Sequence, residues 1–174
     1  MNQKTKLITR AAIIGAMYFA LTHFQNLIFP NSASFAIQCR ISEALTVLSF
    51  FTPAAVPGLT IGCLLFNLSF AGALPLDFLV GSLATFFACG AMWLTRKITI
   101  KGVPLLGLTM PAIFNALLVG WELTVYIGDT GFTMAAFWIN AVYVALGELI
   151  VLFTVGLALY QILNKGGLGK KIFE

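Results

Sequence analysis

Charge is what this sequence has least of. Ten Lys or Arg and six Asp or Glu among 174 residues make 9%, where a soluble domain carries about 25%. Residues 11–39 and 44–76 contain no charged side chain at all. A water-facing surface cannot be built from such material, so a soluble enzyme or a nucleic-acid-binding domain is excluded. Histidine occurs once, as His23, beside Thr22, Gln25 and Asn26; no nucleophile accompanies it, and it reads as a satisfied polar residue. The three cysteines, Cys39, Cys63 and Cys89, have no C-x-x-C spacing. Cys63 and Cys89 read as small apolar helix residues, neither metal ligands nor half-cystines. There is no H-E-x-x-H and no G-x-S-x-G. The run Gly166-Gly167-Leu168-Gly169-Lys170-Lys171 lacks the spacing and the Ser/Thr of a phosphate-binding loop, so the chain is not expected to hydrolyse nucleotide.

What is present in excess is apolar. The hydrophobic fraction is 60% and mean hydropathy is +0.98. Apolar segments fall at 8–29, 42–52, 54–71, 74–95, 103–127 and 133–163. A spanning helix needs roughly 20 apolar residues to cross a core about 30 Å thick. The first run is too long for a signal-peptide h-region and reads as a retained span. The second segment, eleven residues, reaches only about 17 Å as an α-helix. Pro53, Pro57 and Gly58 separate it from the third.

The sparse charges set the topology. Lys4, Lys6 and Arg10 precede the first run, Arg96, Lys97 and Lys101 punctuate the middle, and Lys165, Lys170 and Lys171 follow the last. Treating 42–71 as one span would place the middle cluster opposite the N-terminus, against the positive-inside rule. Two segments there put all three clusters on the cytoplasmic side. The expected architecture is therefore an all-α integral membrane protein, one domain over 1–174, with six transmembrane helices and both termini cytoplasmic. The second helix is expected to be short or tilted and buried against its neighbours. No internal repeat is evident, unlike the inverted-repeat plan of many secondary transporters.

On this topology the outer loops are 30–42, 71–76 and 128–133, and Arg40, Glu43, Asp77 and Asp129 lie in or beside them. Glu122 falls near the outer end of the fifth segment, and Glu148 deeper in the sixth. A charge at membrane depth costs roughly 2.5–3.5 kcal/mol on insertion scales and normally faces a protein interior or wet cavity. Glu122 and Glu148 are thus site candidates, against the alternative of structural carboxyls, protonated or held by helix–helix hydrogen bonds. Asn115 lies seven residues before Glu122, on the same helical face. Asn140, Tyr143 and Gly147 share a face of the sixth segment, with Glu148 at its flank. Trp121 and Trp138 read as interfacial anchors, or as stacking platforms for a planar ligand. Asp77 opens the fourth segment, where helix capping alone would account for an acid. Arg40 and Glu43 suit a local ion pair, and the loop carrying Phe35, Ile37, Gln38 and Arg40 suits a lid. Ala12, Ala16 and Ala20 form a small-residue stripe fit for close helix contact, within the chain or with a partner.

Residues 35–48 (FAIQCRISEALTVL) and 51–58 (FTPAAVPG) resemble the QueT family, substrate-binding S components of energy-coupling factor (ECF) transporters associated with queuosine precursors. Weaker agreement comes at 81–85 (GSLAT), 114–120 (FNALLVG) and 147–151 (GELIV). Cys39 and Ser49 stand where the family pattern suggests an aromatic residue and a proline. The resemblance implies a subunit of the cell membrane that captures a small solute at its outer face and is not an enzyme. It implies a separate transmembrane coupling protein and two ATPase subunits, which would use the ATP, with no cofactor in this chain. The expected ligand is a 7-deazaguanine base, in its aminomethyl form. Asp77 and Glu122 would divide its guanine-like N–H edge and its cationic amine. Asn115, Asn140, Trp138, Tyr143, Arg40 and Glu148 complete the candidate site, and Ala12, Ala16 and Ala20 the coupling-protein contact. Two other readings stay open at this point: an S component for another vitamin or small metabolite, and a small membrane enzyme.

Overall fold

The computed structural model describes residues 2–30, 39–127 and 131–173. Asp129 and the lid residues Phe35, Ile37 and Gln38 lie outside that set. Every described element of regular length is helical. The elements are α1 (Gln3–Ile28), a 3-10 helix (Ile41–Phe50), α2 (Ala55–Ser69), α3 (Asp77–Thr95), α4 (Leu105–Ile127), α5 (Met134–Val151), α6 (Leu157–Asn164) and α7 (Leu168–Phe173). A π-helical segment, Leu152–Gly156, joins α5 to α6 without a break. Four helical stretches are long and apolar enough to cross a membrane: Gln3–Ile28, Asp77–Thr95, Leu105–Tyr126 and Met134–Gly167. The 3-10 helix and α2 are apolar but shorter. The six apolar runs of the sequence thus become four long helices and two short ones.

Large apolar side chains cover the outside of the bundle; Leu27 and Leu94 are each 78% exposed. Polar groups are turned inward instead. Such an inside-out distribution suits a hydrocarbon solvent, in which every backbone polar group must be satisfied within the protein.

The short second element is the centre of the molecule. It packs against α1, α2, α3, α4, α5 and α6, and residues Ser42 to Phe50 are all buried. Ten residues is long for a 3-10 helix. At about 2.0 Å per residue it extends about 20 Å, against about 15 Å for the same residues in an α-helix. Its three-residue turn also aligns Glu43, Thr46 and Ser49, with Arg40 and Thr52 continuing the spacing beyond either end. All five are buried, so a polar stripe runs the length of this helix. Thr52 and Pro53 end it, since proline supplies no N–H to continue the ladder.

Around it, α1 and α2 cross with backbones in contact. A Cβ on Gly15 would lie 2.7 Å from the Gly58 carbonyl oxygen, and one on Gly58 would lie 2.6 Å from that of Ala11. The pairs α2–α3, α3–α4 and α4–α5 pack in sequence.

Long-range bonds sort the ends of the bundle. At one end an Arg10 guanidinium nitrogen donates to the Phe173 carbonyl, and the Tyr160 hydroxyl donates to the Gly102 carbonyl at 3.1 Å. The turn Gly166–Gly167, both at positive φ, folds α7 back so that Gly169 meets the Phe51 ring. At the other end Gln25 meets Cys39, His23 meets Ser69 and Asn67 meets Asp77. The basic clusters at Arg10, near Lys101 and at Lys165 therefore share one end, and Cys39, Ser69 and the start of α3 at Asp77 share the other.

Candidate functional site

One guanidinium sits among four carboxyls inside the upper bundle. Arg40, directly before the 3-10 helix, is buried and points inward: its Nη1 lies 3.8 Å from Cys63 Sγ and its guanidinium carbon 5.5 Å from the Phe66 ring centre. Glu43, Glu122 and Glu148 all interact electrostatically with it. Glu43 is held from α1, where the Tyr18 hydroxyl donates to Oε1 at 2.5 Å. Glu148 is held from α4, where Asn115 Nδ2 donates to Oε1 at 2.9 Å. Their second oxygens, Glu43 Oε2 and Glu148 Oε2, meet no hydrogen-bond donor among the described residues.

Glu122 is fully buried, yet neither of its carboxyl oxygens meets a donor among the described residues. Its neighbour is another acid, Asp77. Asp77 itself is anchored: Oδ2 accepts from the Leu74 amide at 2.9 Å, and its carbonyl accepts from Asn67 Nδ2 at 2.8 Å. That amide has room only because position 81 is glycine; a Cβ there would lie 2.8 Å from Asn67 Nδ2. Leaving a buried acceptor unpaired costs about 1–3 kcal/mol, more for a charged one. Four such carboxyl oxygens in one region can be met by N–H donors, by positive charge or, between the neighbouring Glu122 and Asp77, by a shared proton.

The candidates divide into two sets. Arg40, Asp77, Asn115, Glu122 and Glu148 are buried and turned into the bundle, and Asn115 and Glu122 share the inward face of α4. Asn140 is partly buried, and its Nδ2 donates to Thr124 Oγ1 at 3.0 Å, tying α5 to α4. Trp138 and Tyr143 are 57% and 42% exposed, on the side of α5 away from the carboxyls; the buried side is Ala141, Val144, Gly147 and Glu148. Trp138 contacts Phe137 edge-on at 5.0 Å, and Trp121 is exposed as well. The expected shared face of Asn140, Tyr143 and Gly147 is thus split, because a helix of 3.6 residues per turn turns only one stripe to a core.

His23 bonds Ser69 Oγ at 2.9 Å and packs between Phe19 and Phe66. Cys89 lies in an apolar cluster. Cys63 is more than filler: its sulfur faces both Arg40 and Asn67 Nδ2, the latter at 3.6 Å. All three cysteines are free, and no group of three or more His, Cys, Asp or Glu suited to a metal occurs among the described residues.

Several contributors escaped the sequence reading: Tyr18, Thr22, Gln25, Thr46, Ser49 and Asn67, all buried. A signal for part of them exists, since polar residues at 40, 43, 46, 49 and 52 recur every third position, the 3-10 period.

The stripe Ala12, Ala16 and Ala20 is exposed. Contact inside the chain uses the neighbouring positions Ala11 and Gly15 instead. Ala12 and Ala16 line an apolar groove of about 840 Å³ between α1 and α2, bordered by Leu7, Ile8, Ile61 and Leu65.

No curated protein and no solved structure matches the chain. The family model described as QueT transporter matches residues 8–165, nearly the whole chain, and with its apolar helices and inward-facing charges the protein belongs to the QueT transporter family.

Proposed function

We propose that this protein is the substrate-binding S component of an ECF-type importer, and that it captures a 7-deazaguanine queuosine precursor at its outer face. The observation that carries this reading is Glu122, fully buried with both carboxyl oxygens lacking a donor. A guanine-like edge presents two adjacent N–H groups, which one carboxylate accepts as a bidentate pair. The surplus of carboxyls over the single Arg40 favours a ligand that also brings positive charge. The aminomethyl form does so, and Asp77 beside Glu122 is the acid assigned to its ammonium. Asn115 and Glu148, bonded to each other, lie deeper. Trp138 and Tyr143 serve this reading better as anchors on the outer surface of α5 than as stacking platforms.

The orientation belongs to the same proposal. The end that carries the three basic clusters faces the cytoplasm, as the positive-inside rule requires, and both termini lie there. The exposed stripe Ala12, Ala16 and Ala20, with the groove beside it, is assigned to a helix of the transmembrane coupling protein. Small residues permit close helix approach in lipid. ATP is used by two ATPase subunits of that module, and the loaded S component reorients to deliver its ligand inward.

The deciding experiment is identification by mass spectrometry of the ligand eluted from purified protein, followed by calorimetry with the deazaguanine base. Glu122→Gln weakens binding by more than about tenfold, on the order of 1.4 kcal/mol. A different eluted vitamin overturns the substrate and leaves the architecture. Unchanged affinity in the variant removes Glu122 from the site.

A further inference from the structure

The face of α1 opposite its exposed alanines carries a second pattern. Tyr18, Thr22 and Gln25 stand at helical spacing, are all buried, and each bonds to the start of the 3-10 helix. Gln25 reaches the backbone on both sides of Arg40: its Nε2 donates to the Cys39 carbonyl at 2.7 Å, and its Oε1 accepts from the Ile41 amide at 2.7 Å. Thr22 Oγ1 lies 2.7 Å from the Tyr18 carbonyl and 2.7 Å from Ser42 Oγ. With the threonine proton spent on that carbonyl, Ser42 is the donor to Thr22. Tyr18 donates to Glu43. Four of the five positions from 39 to 43, namely Cys39, Ile41, Ser42 and Glu43, are thereby fastened to one helix, with Arg40 held between them.

This fastening matters because of the helix type. The first N–H groups of any helix lack intrahelical partners, and here the Ile41 amide is capped from another helix. A 3-10 helix turns about 120° per residue and an α-helix about 100°. Relaxation of this segment to α-geometry would rotate Glu43 about 60° relative to Thr46 and break the alignment of the stripe that begins beside Arg40. The α-form is ordinarily preferred over runs of this length, so the 3-10 form needs an external hold.

We propose that Tyr18, Thr22 and Gln25 are the positioning residues of the ligand site: a polar ladder on α1 that sets the rotation of the 3-10 helix and so presents Arg40 and Glu43 to the interior. Their relevance to capture rests on the S-component reading above, whereas the ladder itself does not.

The test uses the full-length protein in nanodiscs, comparing wild type with Gln25→Leu, Tyr18→Phe, Thr22→Val and Thr22→Ser. Two measurements need no ligand: amide hydrogen exchange, and maleimide labelling of the partly exposed Cys39, with buried Cys63 and Cys89 as unlabelled controls. In the first three variants, exchange over 41–43 and labelling of Cys39 accelerate while α3 to α5 keep their protection. Affinity for the aminomethyl deazaguanine base falls about fivefold to tenfold, the equivalent of one lost hydrogen bond. Thr22→Ser, which keeps the hydroxyl, recovers what Thr22→Val loses. Unchanged local exchange and labelling overturn the ladder. Accelerated exchange with unchanged affinity overturns the positioning role. Should wild type bind no deazaguanine base, the functional reading fails, and the ladder is judged on exchange and labelling alone. If Gln25→Leu does not fold, the Thr22 pair decides.

Discussion

Glu148 and Asn115 show how a single buried acid is tolerated here. One carboxyl oxygen has its amide donor at 2.9 Å and the other has none among the described residues. Asn115→Leu strips the remaining donor and should destabilise the protein by about 1–3 kcal/mol, read as a lowered Tm in detergent. Glu148→Gln keeps an acceptor for Asn115 and removes an acid from a crowded set, so its Tm should stay level or rise. Arg40 is the sharper case. Removing one partner of a buried ion set costs about 3–5 kcal/mol, because the charges left behind are uncompensated. Arg40→Met should therefore lower the yield of folded protein, and Glu43→Gln in the same chain should recover part of it. At this scale the sequence was legible where a charge interrupts an apolar run: Arg40, Asp77, Glu122 and Glu148 stand out and are all buried. Tyr18, Thr22 and Gln25 were not legible, since uncharged polar residues are common in membrane helices and only a packed neighbour gives them a partner.

Among elements, α1 divides its surface three ways. Ala11 and Gly15 meet Gly58 of α2, Tyr18, Thr22 and Gln25 meet the 3-10 helix, and Ala12, Ala16 and Ala20 face outward. Two substitutions separate these faces. Gly58→Ala puts a Cβ 2.6 Å from the Ala11 carbonyl oxygen and should cost about 1–3 kcal/mol by overpacking, seen in thermal unfolding. Ala16→Leu should leave Tm and ligand affinity unchanged while abolishing co-purification of the proposed coupling module. The length of the second segment already showed that it cannot span as an ordinary helix. Its 3-10 form was not anticipated, although the every-third polar pattern was there to find. The sixth segment read as one helix, and its π turn after Glu148 left no trace in hydropathy.

For the whole molecule, the bond from Arg10 to Phe173 ties α1 to α7, so a thiol-labelling map has a definite expected outcome. Cysteines introduced at positions 4 and 165 should react only from the cytoplasm, and one at position 129 only from outside. Reaction of 129 from within would reverse the proposed orientation. The sequence by itself determined the hydrocarbon solvent and the apolar runs that become four long helices and two short ones, because apolar run length is a local quantity set against a bilayer of known thickness. Only the tertiary structure decided which polar groups meet inside the bundle, that Trp138 and Tyr143 turn outward, and that the second helix is wound tightly enough to line up Glu43, Thr46 and Ser49. Those outcomes depend on which helix faces which, and a rotation of some tens of degrees about one axis, invisible to composition, moves a side chain from the interior to the lipid.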